Sequence, residues 1–199
     1  VNARRPKMIE RGAVDGKPQS NSNSSESDRV PTAGWTGRCF EDFRVGDVYQ
    51  HRPGRTITNA DNIWFSLLTV NANPLHIDGH YSAQTEFGRP LVNSCFTLAL
   101  ITGLSVPDVS QNAFANLGWD EVRLPHPVFE GDTIYAESEV LETRPSRSRP
   151  NVGIVQVRST GYNQDGTVVI EFKRTIMVYR RGQVPEVPRP ERQFPTKGK

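Results

Sequence analysis

Cysteine is scarce in this chain. Cys39 and Cys95 are the only two among 199 residues. Two thiols make no disulfide framework, and their separation offers no Cys-x-x-Cys pair for zinc. A reducing, cytoplasmic setting is the expectation. Long apolar runs are also missing. Nothing approaches the roughly 18 consecutive apolar residues of a membrane-spanning helix. The basic start Val1-Asn2-Ala3-Arg4-Arg5 is not followed by the apolar stretch of a secretory signal. Of the four histidines, no two combine with carboxylates on one helix face, so no metal site is expected. The absence of a Gly-x-Ser-x-Gly elbow excludes a serine hydrolase of that type.

A basic body is lacking too. The net charge is +2, but residues 1–34 carry six Lys/Arg against four Asp/Glu, and residues 183–199 carry four against two. That leaves fourteen basic and sixteen acidic residues between them. The positive charge belongs to the ends, and nucleic-acid binding is not expected. Hydrophobic residues make up 35% of the chain, few enough that part of its length should lie outside the core. Residues 1–34 include the polar tract Gln19 to Ser27 and read as a disordered tail. Residues 183–199, with Pro185, Pro188, Pro190 and Pro195, read as an extended tail.

What is present between them, over residues 35–182, is one domain. A short strand is expected over Tyr49 to Ile57, interrupted at Pro53-Gly54. Thr58 with Asp61 three residues on marks a helix start. That helix runs Asn59 to about Thr69, with Ile63, Trp64, Leu67 and Leu68 on one stripe. Ser94 to Leu104 is apolar nearly all round and should be buried on most sides. Strands follow over Asn116 to Arg123, Thr133 to Leu141, Gly153 to Tyr162 and Val168 to Tyr179, with a turn at Asn163-Gln164-Asp165-Gly166. On the last strand Val168, Ile170, Phe172, Ile176 and Val178 should share the inner face. Early helices and late consecutive strands indicate an α+β domain, one buried helix wrapped by a curved antiparallel sheet. Its open edge favours a homodimer.

The segment Asn71-Ala72-Asn73-Pro74-Leu75-His76 reads in two ways, as a chemical site or as an ordinary helix-ending turn with a satisfied histidine. Pro74 holds Asn73 extended and breaks the helix, and in the first reading His76 is the proton-transfer group beside that break. Asp78 is expected to cap the next segment, His80 reads as a surface or turn residue, and His51 and His126 have no evident partners. Cys95 reads as a small packing residue.

Three motifs then resemble one family. Asn73-Pro74-Leu75-His76-Ile77-Asp78, Phe87-Gly88-Arg89-Pro90-Leu91-Val92 and Val128-Phe129-Glu130-Gly131-Asp132-Thr133 are similar to the MaoC-like dehydratases, which include R-specific enoyl-CoA hydratases. The resemblance covers roughly residues 36–181. It implies a hot-dog fold, with Ser94 to Leu104 as the wrapped helix and a CoA thioester as substrate rather than any cofactor. In the family motif Asp-x-Asn-Pro-x-His, water sits between Asp and His. The backbone N–H of the residue matching Ser94 polarises the thioester oxygen. Here Asn71 stands at the Asp position. An amide can orient water but cannot take its proton. Either His76 shuttles the proton with Asn71 orienting, which is the preferred reading, or the site binds a thioester without hydrating it.

The runs Thr85 to Ser94 and Ser146-Arg147-Ser148-Arg149-Pro150 further resemble a subgroup of itaconyl-CoA or mesaconyl-CoA hydratases. A dicarboxylyl substrate brings its own carboxylate, which an Asp at position 71 would repel. The expected site is therefore His76, Asn71 and Ser94 for chemistry, with Asn73, Arg89, Asn93, Arg147 and Arg149 for substrate or CoA. Arg144, Arg147 and Arg149 form a basic loop suited to phosphates. A hot-dog thioesterase and a non-catalytic acyl-thioester binding module are the competing functions. The thioesterase is disfavoured because Ser94 to Leu104 holds no carboxylate.

Overall fold

The computed structural model describes residues 32, 34–188 and 190. The expected N-terminal tail and most of the C-terminal one lie outside them. The chain divides at Gly34, and all the elements below belong to the unit that begins at Trp35. They are a short 3-10 turn Phe40–Asp42, β1 Val48–Thr56, α1 Asn59–Leu68, α2 Pro74–Ile77, α3 Gly79–Ser82, α4 Ser94–Leu104, a π-turn Val106–Ser110, β2 Ala113–Arg123, β3 Thr133–Pro145, β4 Val152–Tyr162 and β5 Val168–Tyr179. The five strands form one antiparallel sheet in the order β1-β3-β4-β5-β2. This is the expected α+β hot-dog arrangement.

Each element follows from its residues. Thr58 accepts from Asp61 N–H while the Asp61 carboxylate takes Thr58 N–H at 2.8 Å, a complete capping box that starts α1. β1 is interrupted where expected, with a register shift between His51 and Arg55. β3 and β5 alternate as strands covered on one face should, with Ile134, Ala136, Ser138 and Val140 inside on β3. α4 crosses the covered face through Ile101, which packs with Ile134, Ile170 and Phe172. Gly161 on β4 makes that approach possible, because a Cβ there would stand 2.6 Å from Ile101 Cδ1. A second cluster, Phe43, Val140, Val155, Val157, Ile176 and Val178, closes the other end.

Three expectations need correction. α1 turns its apolar stripe outward, with Trp64 66% and Leu68 75% exposed, and buries Asn62 and Ser66 instead. The reason is what lies beneath α1: loop backbone groups that need hydrogen-bond partners rather than a greasy face. α4 is covered on one side only. Thr97 and Ile101 are buried, whereas Ser94, Cys95, Ala99 and Gly103 are exposed, so Cys95 is not a packing residue. Along β5, a register shift between Gly161 and Tyr162 leaves Val168 half-buried and buries Val169 with Ile170. The inner face of β5 also carries Arg174, bonded to Asn116 Oδ1 at 2.6 Å and to Ser105 Oγ at 3.1 Å.

Candidate active site

His76 is set by a chain of local caps. After α1, Val70 takes a φ of 58°, and Asn71 N–H returns to Ser66 O at 2.8 Å. Asn71 Oδ1 accepts from Asn73 N–H at 3.2 Å, and Asn73 Oδ1 accepts from Leu75 N–H at 3.0 Å. These successive side-chain turns, with Pro74 at the first helical position, start α2 and deliver His76. Asp78 caps α3 by accepting from Tyr81 N–H at 3.0 Å, as the sequence suggests.

The His76 ring is nearly buried, 8% exposed, and its Nδ1 lies 2.8 Å from Leu91 O. A carbonyl only accepts, so in the neutral ring Nδ1 holds the proton and Nε2 is left as a lone pair. Among the described residues no hydrogen bond reaches Nε2, and none joins Asn71 to His76. The geometry therefore offers a base with its tautomer fixed from behind.

Asn62, which sequence reasoning missed, ties this loop to α4. Its Nδ2 donates to His76 O at 2.9 Å and to Leu91 O at 3.1 Å, and its Oδ1 accepts from Asn93 N–H at 2.9 Å. Asn93 in turn donates from Nδ2 to Ser66 Oγ at 3.1 Å and caps α4 by accepting from Cys95 N–H at 2.9 Å. The expectation that Asn93 binds substrate is thereby corrected: its amide is buried and engaged at both ends. A signal was available, since Asn62 and Ser66, like Asn93 and Thr97, are polar pairs four apart on apolar helices. Such pairs mark one buried polar stripe.

Ser94 opens α4. Its backbone N–H is one of the donors a helix start leaves over, and no acceptor among the described residues takes it. Beside it is a cavity of about 240 Å³ lined by Phe87, Leu91, Val92, Ser94, Thr97, Leu124, Pro125, His126, Pro127 and Val128. Leu91 thus has its carbonyl on the His76 ring and also forms part of the cavity wall. His126 joins the wall with Nδ1 2.8 Å from Val168 O, a partner its sequence position did not reveal.

The arginines separate. The exposed Arg89 guanidinium stacks on the Phe129 ring at 4.0 Å, beside the cavity-lining Phe87, with no carboxylate partner among the described residues. Asn73 is exposed, with its Oδ1 spent on the α2 cap. Arg147 and Arg149 lie in the turn between β3 and β4, at the opposite end of β3 from Thr133. Twelve residue steps at ~3.3 Å put that turn some 40 Å from the Thr133 end. Within one chain they are not brought to His76.

His51 has partners after all, but elsewhere. Its Nδ1 lies 3.0 Å from Asp108 Oδ2 and its Nε2 2.9 Å from Ser138 Oγ, which bonds Ser159 Oγ at 2.8 Å. Arg38 completes the row through Asp108 Oδ1 at 3.0 Å. Ser138 is fully buried, so no substrate reaches this hydroxyl. No helix among the described residues is long and apolar enough to cross a membrane.

Comparison with known proteins agrees with the fold. A family model described as mesaconyl-CoA hydratase matches residues 18–187. The chain is 34% identical over 154 residues to a mesaconyl-CoA hydratase of Cereibacter sphaeroides, covering 77% of this chain and 45% of that protein. A solved MaoC-domain protein from Chloroflexus aurantiacus superposes with a TM-score of 0.72 at 33% identity, covering 83% of this chain and 46% of the other. A Mycobacterium tuberculosis protein described as a double hot-dog fold gives a TM-score of 0.68 at 25% identity, covering 74% and 46%. The chain spans about half the length of the curated relatives it matches, 45% and 44% for two of them. A mesaconyl-CoA hydratase model spanning most of the chain, relatives above 30% identity and a solved MaoC-domain neighbour point the same way: the chain belongs to the mesaconyl-CoA hydratase family of MaoC-like dehydratases.

Proposed function

We propose that this chain hydrates the 2,3 double bond of a short branched or dicarboxylyl enoyl-CoA, mesaconyl-CoA in kind, and catalyses the reverse dehydration. The observation that carries the reading is the His76 ring held at Nδ1 by Leu91 O, which leaves Nε2 as the acceptor for a proton. As the water oxygen bonds to the β-carbon, Nε2 takes the water's proton. The double-bond electrons move onto the thioester oxygen. The Ser94 N–H, at the positive end of α4, stabilises that developing enolate. His76 then returns the proton to the α-carbon, and the elements of water are balanced. Asn71 orients the water. Its Oδ1 already accepts from Asn73 N–H, so its amide NH2 is the group free to do so. Arg89, exposed and free of carboxylates among the described residues, fits the second carboxylate of such a substrate. Two copies forming a homodimer is the expected assembly.

Loss of enoyl absorbance with mesaconyl-CoA tests the activity. His76→Ala should lower kcat by about 10²–10⁴, the range of a general acid–base group. An unchanged rate would remove His76 from the mechanism, and thiol release without hydration would replace it with a thioesterase. Asn71→Asp should shift preference from mesaconyl-CoA towards crotonyl-CoA. A shift the other way would contradict the charge argument.

A further inference from the structure

We propose that His126 is the residue that selects a dicarboxylyl acyl group, with its Nε2 donating to the distal carboxylate of a substrate held in the cavity beside Ser94. The inference rests on the enoyl-CoA reading above and adds the side chain that would recognise the second carboxylate inside the cavity.

The wall of this cavity is mostly apolar. Of the ten residues that line it, seven are apolar, Ser94 and Thr97 carry hydroxyls, and His126 alone is ionisable. At about 240 Å³ the space lies below the roughly 300 Å³ where pockets for drug-sized ligands begin, so it suits a short acyl group and not a nucleotide. A carboxylate that enters apolar surroundings needs a partner to offset the water it leaves. Among the lining residues only His126 can supply a positive charge. Arg89 is not one of them, since its guanidinium lies over the Phe129 ring.

Two local devices aim the ring. His126 stands between Pro125 and Pro127, and a residue before proline is held extended. Its Nδ1 lies 2.8 Å from Val168 O, and a carbonyl only accepts, so Nδ1 keeps its proton. Nε2 is then the ring nitrogen left for a ligand, and no hydrogen bond reaches it among the described residues. His126 is exposed, so a ligand can approach it. The same segment is tied to the His76 loop. Val92 N–H donates to Val128 O at 2.9 Å, and Leu91, whose carbonyl holds the His76 ring, bridges to Phe129. The Ser94 N–H for the thioester oxygen and His126 for the carboxylate thus belong to two walls of one cavity. With Nδ1 committed to Val168 O, Nε2 donates only when the ring takes up a proton. A carboxylate beside it favours that form, as an opposite charge beside a titrating group does. A dicarboxylyl group should therefore bind together with a proton, and a monocarboxylic acyl group of the same length should not.

Calorimetric binding of succinyl-CoA and butyryl-CoA to the 199-residue chain tests this without catalysis, since both acyl groups have four carbons and neither has a double bond to hydrate. The wild-type chain should prefer succinyl-CoA and take up a proton on binding it, seen as a heat that varies with the buffer, with no uptake for butyryl-CoA. In His126→Asn the shorter amide keeps an N–H for Val168 O and leaves nothing at the Nε2 position. That variant should unfold at the wild-type midpoint, lose the proton uptake and bind butyryl-CoA as before. Its succinyl-CoA affinity should fall about tenfold or more, the size of a hydrogen bond to a charged group. His126→Gln, whose amide reaches the Nε2 position, should recover part of that loss. Equal weakening of both ligands in His126→Asn would reduce the ring to a structural tie to β5 and overturn the proposal. So would no weakening of either ligand, or the selective loss appearing in Arg89→Gln instead. If the variants do not fold, succinyl-CoA binding to the wild-type chain without proton uptake overturns it. Mesaconyl-CoA hydration with an indifferent His126→Asn removes this proposal and leaves the hydratase reading standing. The selective loss without any hydration removes that reading and leaves the carboxylate contact.

Discussion

Three hydrogen bonds join the Asn62 amide to backbone atoms of the site, two donated from Nδ2 and one accepted at Oδ1. Removing them strands buried polar groups, each costing about 1–3 kcal/mol. Asn62→Leu should therefore lower the unfolding midpoint and also the hydration rate, because Leu91 O and the Asn93 cap lose their common tie. A variant with normal stability and rate would show the tie to be dispensable. His51 is a second buried polar residue with a measurable consequence. Desolvation holds its ring below the ordinary histidine value, partly offset by the hydrogen bond to Asp108. For Asp108, burial pushes upward, but hydrogen bonds from His51 and Arg38 bring its carboxyl below the usual range. A histidine depressed in the folded state leaves the unfolded chain to bind the proton first. Stability is thus fully present above about pH 6.5 and is lost as pH falls from there through the folded value. Urea unfolding at pH 7.5 and 5.5 should show the drop, and His51→Gln should flatten it. An equal slope in that variant would place the dependence on another group.

Among the elements, α4 determines where the site opens. Its inner face meets β4 at Gly161, where an added Cβ would press on Ile101. Gly161→Ala should cost about 1–3 kcal/mol by overpacking, read as a lower denaturation midpoint, and should disturb the Ser94 end of the same helix. α1 behaves in the opposite way. Its Trp64, Leu67 and Leu68 face outward, so Leu68→Lys should change stability by no more than about 0.5 kcal/mol. A large loss would mean that this face is covered in solution. The contrast was only half legible. The capping box of Thr58 and Asp61, the α4 limits, the Asn163–Gly166 turn and the β5 limits were readable because they depend on neighbours in sequence. The outward turn of α1 was not, because a stripe of apolar residues identifies a face without saying what lies below it.

At the scale of the whole molecule, both edge strands are irregular: β1 shifts register once against β3, and β2 shifts three times against β5 while exposing Phe114, Leu117, Trp119 and Val122. If activity needs the homodimer proposed above, the hydration rate per chain should fall on dilution below the dimer dissociation constant. A constant value across that range, with monomer present, would contradict it. Arg147 and Arg149 read as a phosphate loop in sequence and yet stand far from His76 in the fold, because they lie in the β3–β4 turn at the end of β3 away from Thr133. A loop can suit phosphate by its composition. What it meets depends on where the strands place it.

Sequence alone determined the α+β class, the strand order in time, the family and the loop from Asn71 to His76, including the replacement of a carboxylate by an amide. These depend on local pattern, capping and motif spacing, all written in consecutive residues. Tertiary structure decided the rest. It set the His76 tautomer through Leu91 O, made Asn62 the link between loop and helix, moved Asn93 from ligand to frame and joined His51 to Asp108 and Ser138. Each joins residues from 14 to 87 positions apart except the Asn93 cap, only two residues long, which a pattern read along the chain had left among the substrate contacts. Hydrogen bonds between distant segments form only once the core has brought those segments together, and no local periodicity encodes them.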